Sequence, residues 1–213
     1  GQAALLTLPI IGLYRFYGRL PAFAFLLYFP LWYNALFDFH IDHLAVPILF
    51  GFFLMEKKGK IGFAVVCGIL LAFVTEIFAI QAIFCGIYLF LIRRHRIEGS
   101  ILILISSAYF FISLVYLKIY FNPSIDDVSN HLTDMHTVYS MYTVYSWLGN
   151  DFTQIALTLL TQLDWVAEKV FTDPGRLKYL IYLFGALGFI PLLRPGVLLI
   201  TIPVLAHSLL SSE

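Results

Sequence analysis

Charge and cysteine are scarce in this sequence. Asp, Glu, Lys and Arg make up 12% of its 213 residues, and 13 basic side chains balance 13 acidic ones. With no net field to gather a polyanion, nucleic acid is not an expected partner. The two cysteines, Cys67 and Cys85, stand inside apolar runs without metal-type spacing. That argues against a disulfide framework or a zinc site and leaves them as packing residues. A cationic leader is lacking too: nothing positive precedes the first apolar run, residues 3–13, and no small-residue cleavage site follows it. A signal peptide is therefore not expected. That run is short for a span and the chain opens on Gly1-Gln2-Ala3, which reads as part of a longer or processed protein.

Apolar surface is in excess. Hydrophobic residues reach 61% and the mean hydropathy is +0.88, outside the range of soluble domains, so the chain reads as an integral membrane protein. A span takes about 20 apolar residues, so this length suits roughly six to eight crossings and one substantial loop. The expected fold is all-α: a single polytopic bundle of transmembrane helices, some short and broken, with an extracytoplasmic loop domain at residues 122–176.

Charge sign alternates between the polar breaks. Arg15, Arg19, Lys57, Lys58, Lys60, Arg93, Arg94, Arg96 and Arg194 fall on one side with Glu56 and Glu98, whereas the other side holds four basic and eleven acidic residues. The positive-inside rule puts the first set in the cytoplasm and makes the acidic face extracytoplasmic. Residues 61–92 are apolar apart from Thr75, Glu76 and Gln81, yet both ends carry cytoplasmic cations. Two arms of roughly 15 residues, each about 22 Å long, reconcile this as a hairpin with Thr75-Glu76 at its tip, just short of crossing. The other expected spans are 21–37, 44–55, 100–119, 177–193 and 196–209, and Pro30, Pro47, Pro191 and Pro203 should kink them.

Within the long polar segment, Asn150-Asp151 can cap a helix in which Ile155, Leu159, Leu163, Val166 and Val170 recur at helical spacing. Such a helix either packs on the bundle or lies in the interface and guides a lipid substrate. Trp147 with Tyr139, Tyr142 and Tyr145 reads as an interfacial aromatic belt or a sugar-stacking platform.

Candidate chemistry lies on the acidic face. In Asp38-Phe39-His40-Ile41-Asp42-His43, a helix would set Asp38 with Asp42 and His40 with His43 on adjacent faces. That spacing can hold a divalent metal through His40, His43 and Asp42, or it can simply cap the next helix. Glu76, a lone carboxylate between apolar arms, must face protein, water or a partner. Together with Asp38 and Asp42 it is the candidate general base, and its structural alternative is an ion pair with Arg176 or Lys178. Those two cations flank the start of a span where a lipid phosphate would sit, although snorkelling explains them as well.

The order Asp38 to His43 followed by an apolar hairpin broken by Glu76 resembles a prokaryotic family of predicted multispanning membrane proteins of unassigned function. Tyr145-Ser146-Trp147-Leu148-Gly149-Asn150 and the closing Pro191-Leu192-Leu193-Arg194-Pro195 to Pro203 are similar to its later motifs. The family has Pro and Glu more often at the places of Ile41 and Asp42, and Lys at that of Thr75. It is grouped with the GT-C superfamily of glycosyltransferases, which take sugars from polyprenyl phosphate carriers at the outer membrane face. The resemblance implies the C-terminal portion of that fold in a prokaryotic cytoplasmic membrane, with membrane lipid and a polyprenyl-phosphate sugar as partners. A non-catalytic membrane subunit or lipid-binding component bound to a membrane protein partner is the alternative.

Overall fold

A computed structural model describes residues 2–28, 41–120, 145–149, 152–185, 189–193 and 195–211. The described residues are helical, with no strand among them. The helices are α1 (Gln2–Tyr17), α2 (Arg19–Leu26), α3 (Ala45–Lys57), α4 (Ile61–Ala72), α5 (Glu76–Ile87), α6 (Arg96–Tyr120), α7 (Phe152–Thr161), α8 (Leu163–Thr172), α9 (Pro174–Gly185) and α10 (Pro195–Leu210). Short 3-10 turns at Ile41–Leu44 and Ile190–Leu193 precede α3 and α10, and α5 runs on into a π-turn at Tyr88–Ile92.

Contacts divide the chain into two compact units, Gly1–Phe111 with Ile181–Val204, and Ile112–Leu180 with Leu205–Glu213. In the first, turns at 58–60, 73–75 and 93–95 reverse the chain, so α3, α4, α5 and α6 succeed one another antiparallel. Gly59, at φ 71°, makes the first reversal, in the left-handed region where a side chain is disfavoured. The second is the hairpin tip expected from the sequence: Thr75 turns extended, and its carbonyl accepts from Ala79 N–H at 2.9 Å to open α5. Glu76 then occupies the first turn, where the helix dipole favours a carboxylate.

Phe52, Leu71, Leu89, Leu102 and Ile200 are the largest side chains sealed in this unit's core. Small residues let the helices close on them. A Cβ at Gly99 would fall 2.7 Å from the Gly86 carbonyl oxygen, and one at Gly68 would fall 2.6 Å from Leu102. Such small-residue seams are how helices associate when lipid removes the hydrophobic drive between them. The outer surface is apolar as well: Phe63 is 64% and Leu104 72% exposed, a surface that suits hydrocarbon and not water. Among the described residues, only the segment Arg96–Ser113 of α6 meets the length and composition of a complete span, and it is mostly unburied by protein.

The second unit gathers around Leu148, Val166 and Val170, with Tyr145, Trp147, Ile155, Leu159, Leu209 and Leu210 packed against them. The continuous helix expected through Ile155 and Val170 is instead two helices that break at Gln162, whose φ −127° and ψ 40° leave the helical region. The cause is local. Thr161 donates back to the Leu157 carbonyl at 2.8 Å, an i−4 hydroxyl bond of the kind that competes with the helix ladder and bends it, while Thr158 ties α7 to the Leu148 carbonyl outside the helix at 2.8 Å.

Candidate functional site

Asp42 and His43 sit on the 3-10 turn that leads into α3, with Asp42 exposed and His43 half-buried. Asp38 and His40 lie outside the described residues. Glu76 is half-buried as the first residue of α5. Because α3 and α4 are antiparallel, with Gly51 facing Cys67, the start of α3 and the tip between α4 and α5 fall at the same end of the first unit. Glu76 and the Asp42–His43 turn therefore share that end. Among the described residues no three His, Cys, Asp or Glu side chains gather as a metal cluster.

The opposite end of the unit, about 20 Å away along 13 residues of α3, is basic. Arg93 ion-pairs with Glu56, whose side chain is 7% exposed, and this fastens the π-turn of α5 to the last turn of α3. Lys57 Nζ stands 3.7 Å from the centre of the Tyr17 ring and Lys58 Nζ 3.9 Å from that of Phe16, which fastens α1 to the same place. The three basic breaks in the N-terminal half thus converge. Burial, and then the Glu56 charge, push the Tyr17 phenol above its ordinary pKa.

Arg176 and Lys178 lie on α9 in the second unit. The Arg176 side chain, 17% exposed, reaches Asp173 Oδ2 at 3.4 Å, donates to the Ser211 carbonyl at 3.3 Å and stacks 5.0 Å from the Trp147 ring centre. Asp173 is held for this by accepting the Gly175 N–H at 2.8 Å on Oδ1, a cap at the start of α9. Lys178 is exposed and lies two positions further on, a spacing that does not share a helix face with Arg176. The cation that does join Arg176 is Lys169 of α8, 5.7 Å from the Trp147 ring centre and 5.1 Å from that of Trp165. Trp147, Lys169, Thr172, Asp173 and Arg176 line an open groove of about 390 Å³. Sequence reasoning missed Lys169 and Trp165, although their spacing of four residues on α8 places them on one face.

Trp147 is fixed from behind: its indole N–H donates to the Leu210 carbonyl at 2.7 Å. Close by, the Tyr145 hydroxyl is hydrogen-bonded to His207 Nδ1, and burial raises the phenol's pKa. Trp147 and Tyr145, read from the sequence as part of an interfacial aromatic belt or a sugar-stacking platform, contribute to a packed cluster with polar anchors.

A family model described as "Predicted membrane protein (DUF2079)" matches residues 1–213. No curated protein and no solved structure matches.

Proposed function

The chain belongs to the DUF2079 family of predicted membrane proteins, and from that premise we propose a GT-C-like glycosyltransferase module. It takes a sugar from a polyprenyl phosphate carrier at the outer face of a prokaryotic cytoplasmic membrane, crossing that membrane several times. The observation that carries the reading is the polarity of the first unit: Glu76 and the Asp42–His43 turn share one end and the converging Lys and Arg breaks occupy the other. By the positive-inside rule the carboxylate end then faces outward, where lipid-linked sugars are used.

In this reading Glu76, supported by Asp38 and Asp42, removes the acceptor hydroxyl proton as the sugar carbon transfers. Asp42, His43 and His40 offer the oxygen and nitrogen donors that suit a divalent ion, which would stabilise charge on the departing lipid phosphate. In the second unit, Arg176 presents a planar fork suited to phosphate, and Lys169 on the same Trp147 ring is the cation beside it.

The test is transfer of a labelled sugar from polyprenyl phosphate by the full-length protein reconstituted in its own lipids. Glu76→Gln should lower the rate by about 10²–10⁴-fold with an unchanged melting temperature, the usual contribution of a general base. Full activity in that variant, or wild-type protein that copurifies with a stoichiometric membrane partner and transfers nothing, rejects the enzyme in favour of a non-catalytic subunit.

A further inference from the structure

At the basic end of the first unit, α1 and α2 fold back on each other at Gly18, whose φ of 91° makes the turn. The hairpin borders an open apolar groove of about 650 Å³. Ile10, Ile11, Phe23 and Leu26 line its length, while Tyr14 and Arg19 stand toward the turn. Apolar walls with a cation near one end match an amphiphile, with hydrocarbon inside and an anion at the rim.

More cations lie at this end of the unit. Stacking on Tyr17 and Phe16 holds the ammonium groups of Lys57 and Lys58 beside the end of α1, and a ring orients a cation without neutralising it. Lys60 follows in the same turn, and Arg94 and Arg96 flank the pair that Arg93 makes with Glu56. That pair offsets the carboxylate lying deepest among these cations. Arg94 is held at φ 59°, in the left-handed region that Arg rarely adopts, so this exposed charge is presented at some conformational cost. A neutral lipid would need the groove without the cations, and an acidic protein would need the cations without the groove.

We propose that this end of the first unit binds an anionic glycerophospholipid, with an acyl chain in the groove between α1 and α2 and the phosphate against Arg19 and the neighbouring lysines. The site is independent of the transferase reading, which uses the opposite end of the unit.

Native mass spectrometry of the full-length protein tests this, after exchange into phosphatidylcholine bilayers with and without phosphatidylglycerol. Wild-type protein should retain phosphatidylglycerol in preference, and the preference should weaken as salt rises. Arg19→Ala should lower its retention about fivefold, the worth of one cation near an anionic headgroup, and Arg19→Lys should restore it. Ile11→Trp keeps every cation but fills the groove, and should lower retention with an unchanged melting temperature. Equal retention of the two lipids, or no change in Arg19→Ala, overturns the proposal. Displacement by chain-free glycerophosphoglycerol or inorganic phosphate as readily as by intact lipid also overturns it, because the groove would then contribute nothing.

Discussion

Arg93 sits at the end of the π-turn and reaches back across the first unit to Glu56, so that a carboxylate 7% exposed is matched by a guanidinium 45% exposed. The asymmetry in burial sets an asymmetry in cost. Arg93→Ala strands a buried charge and should destabilise by about 1–3 kcal/mol, less than a fully buried pair would cost because water screens the arginine side. Glu56→Gln leaves a half-exposed arginine that water can solvate, and should cost about 1 kcal/mol or less. Thermal unfolding in detergent compares them, and equal losses would mean that Arg93 is not the group that compensates Glu56.

The Gly86–Gly99 seam should not tolerate a methyl group. A Cβ on Gly99 meets Gly86 O at 2.7 Å and Phe90 N at 2.8 Å, both backbone atoms that cannot rotate away. Gly99→Ala should cost about 1–3 kcal/mol as α5 and α6 are pushed apart. Gly62 in α4 has nothing within 4 Å of its would-be Cβ, so Gly62→Ala should stabilise by about 0.5–1 kcal/mol. A denaturant titration in mixed micelles reads both signs.

Arg94 at φ 59° should be improved by glycine. Arg94→Gly relieves a left-handed residue worth about 1 kcal/mol and should raise the melting temperature, whereas Arg94→Ala, which keeps the strain, should not. A rise in both variants would trace the gain to lost charge repulsion and not to the backbone.

Alkaline pH should loosen the second unit through Tyr145. Its folded pKa is raised by burial, so its stabilising contribution is complete below the unfolded value of about 10 and is lost as pH rises through the folded value. Tyr17 in the first unit shifts the same way, so both phenols must be replaced to isolate the effect. Tyr17→Phe with Tyr145→Phe should flatten the fall in stability above about pH 10, and the loss of the Tyr145–His207 hydrogen bond should cost about 0.5–1.5 kcal/mol at neutral pH. Chemical denaturation between neutral and strongly alkaline pH checks the slope.

Local features of the fold were legible because they depend on neighbours in sequence. Thr75-Glu76 interrupts an apolar run with a cap-type residue and an acid, so a hairpin tip was readable there, and α4 and α5 meet at it. The break at Gln162 was missed because an i,i+3/i,i+4 pattern records which face is apolar and is blind to the Thr161 hydroxyl returning to the helix backbone. Pairing Arg176 with Lys178 relied on closeness in sequence, and a helix sends residues two apart to different sides.

By itself the sequence determined that the chain is helical and made for a membrane, since 61% hydrophobic residues in continuous runs divided by charged breaks lack the alternation of barrel strands and leave the helix to satisfy the backbone in lipid. Only the tertiary structure decided which side chains of separate segments meet: Arg93 with Glu56, Lys57 with the Tyr17 ring, and Lys169 and Arg176 both with Trp147. Composition and periodicity fix how much apolar surface a helix carries and on which side. Long side chains from separate helices find one another only after packing has set the distances, and that information is not local to any stretch of the chain.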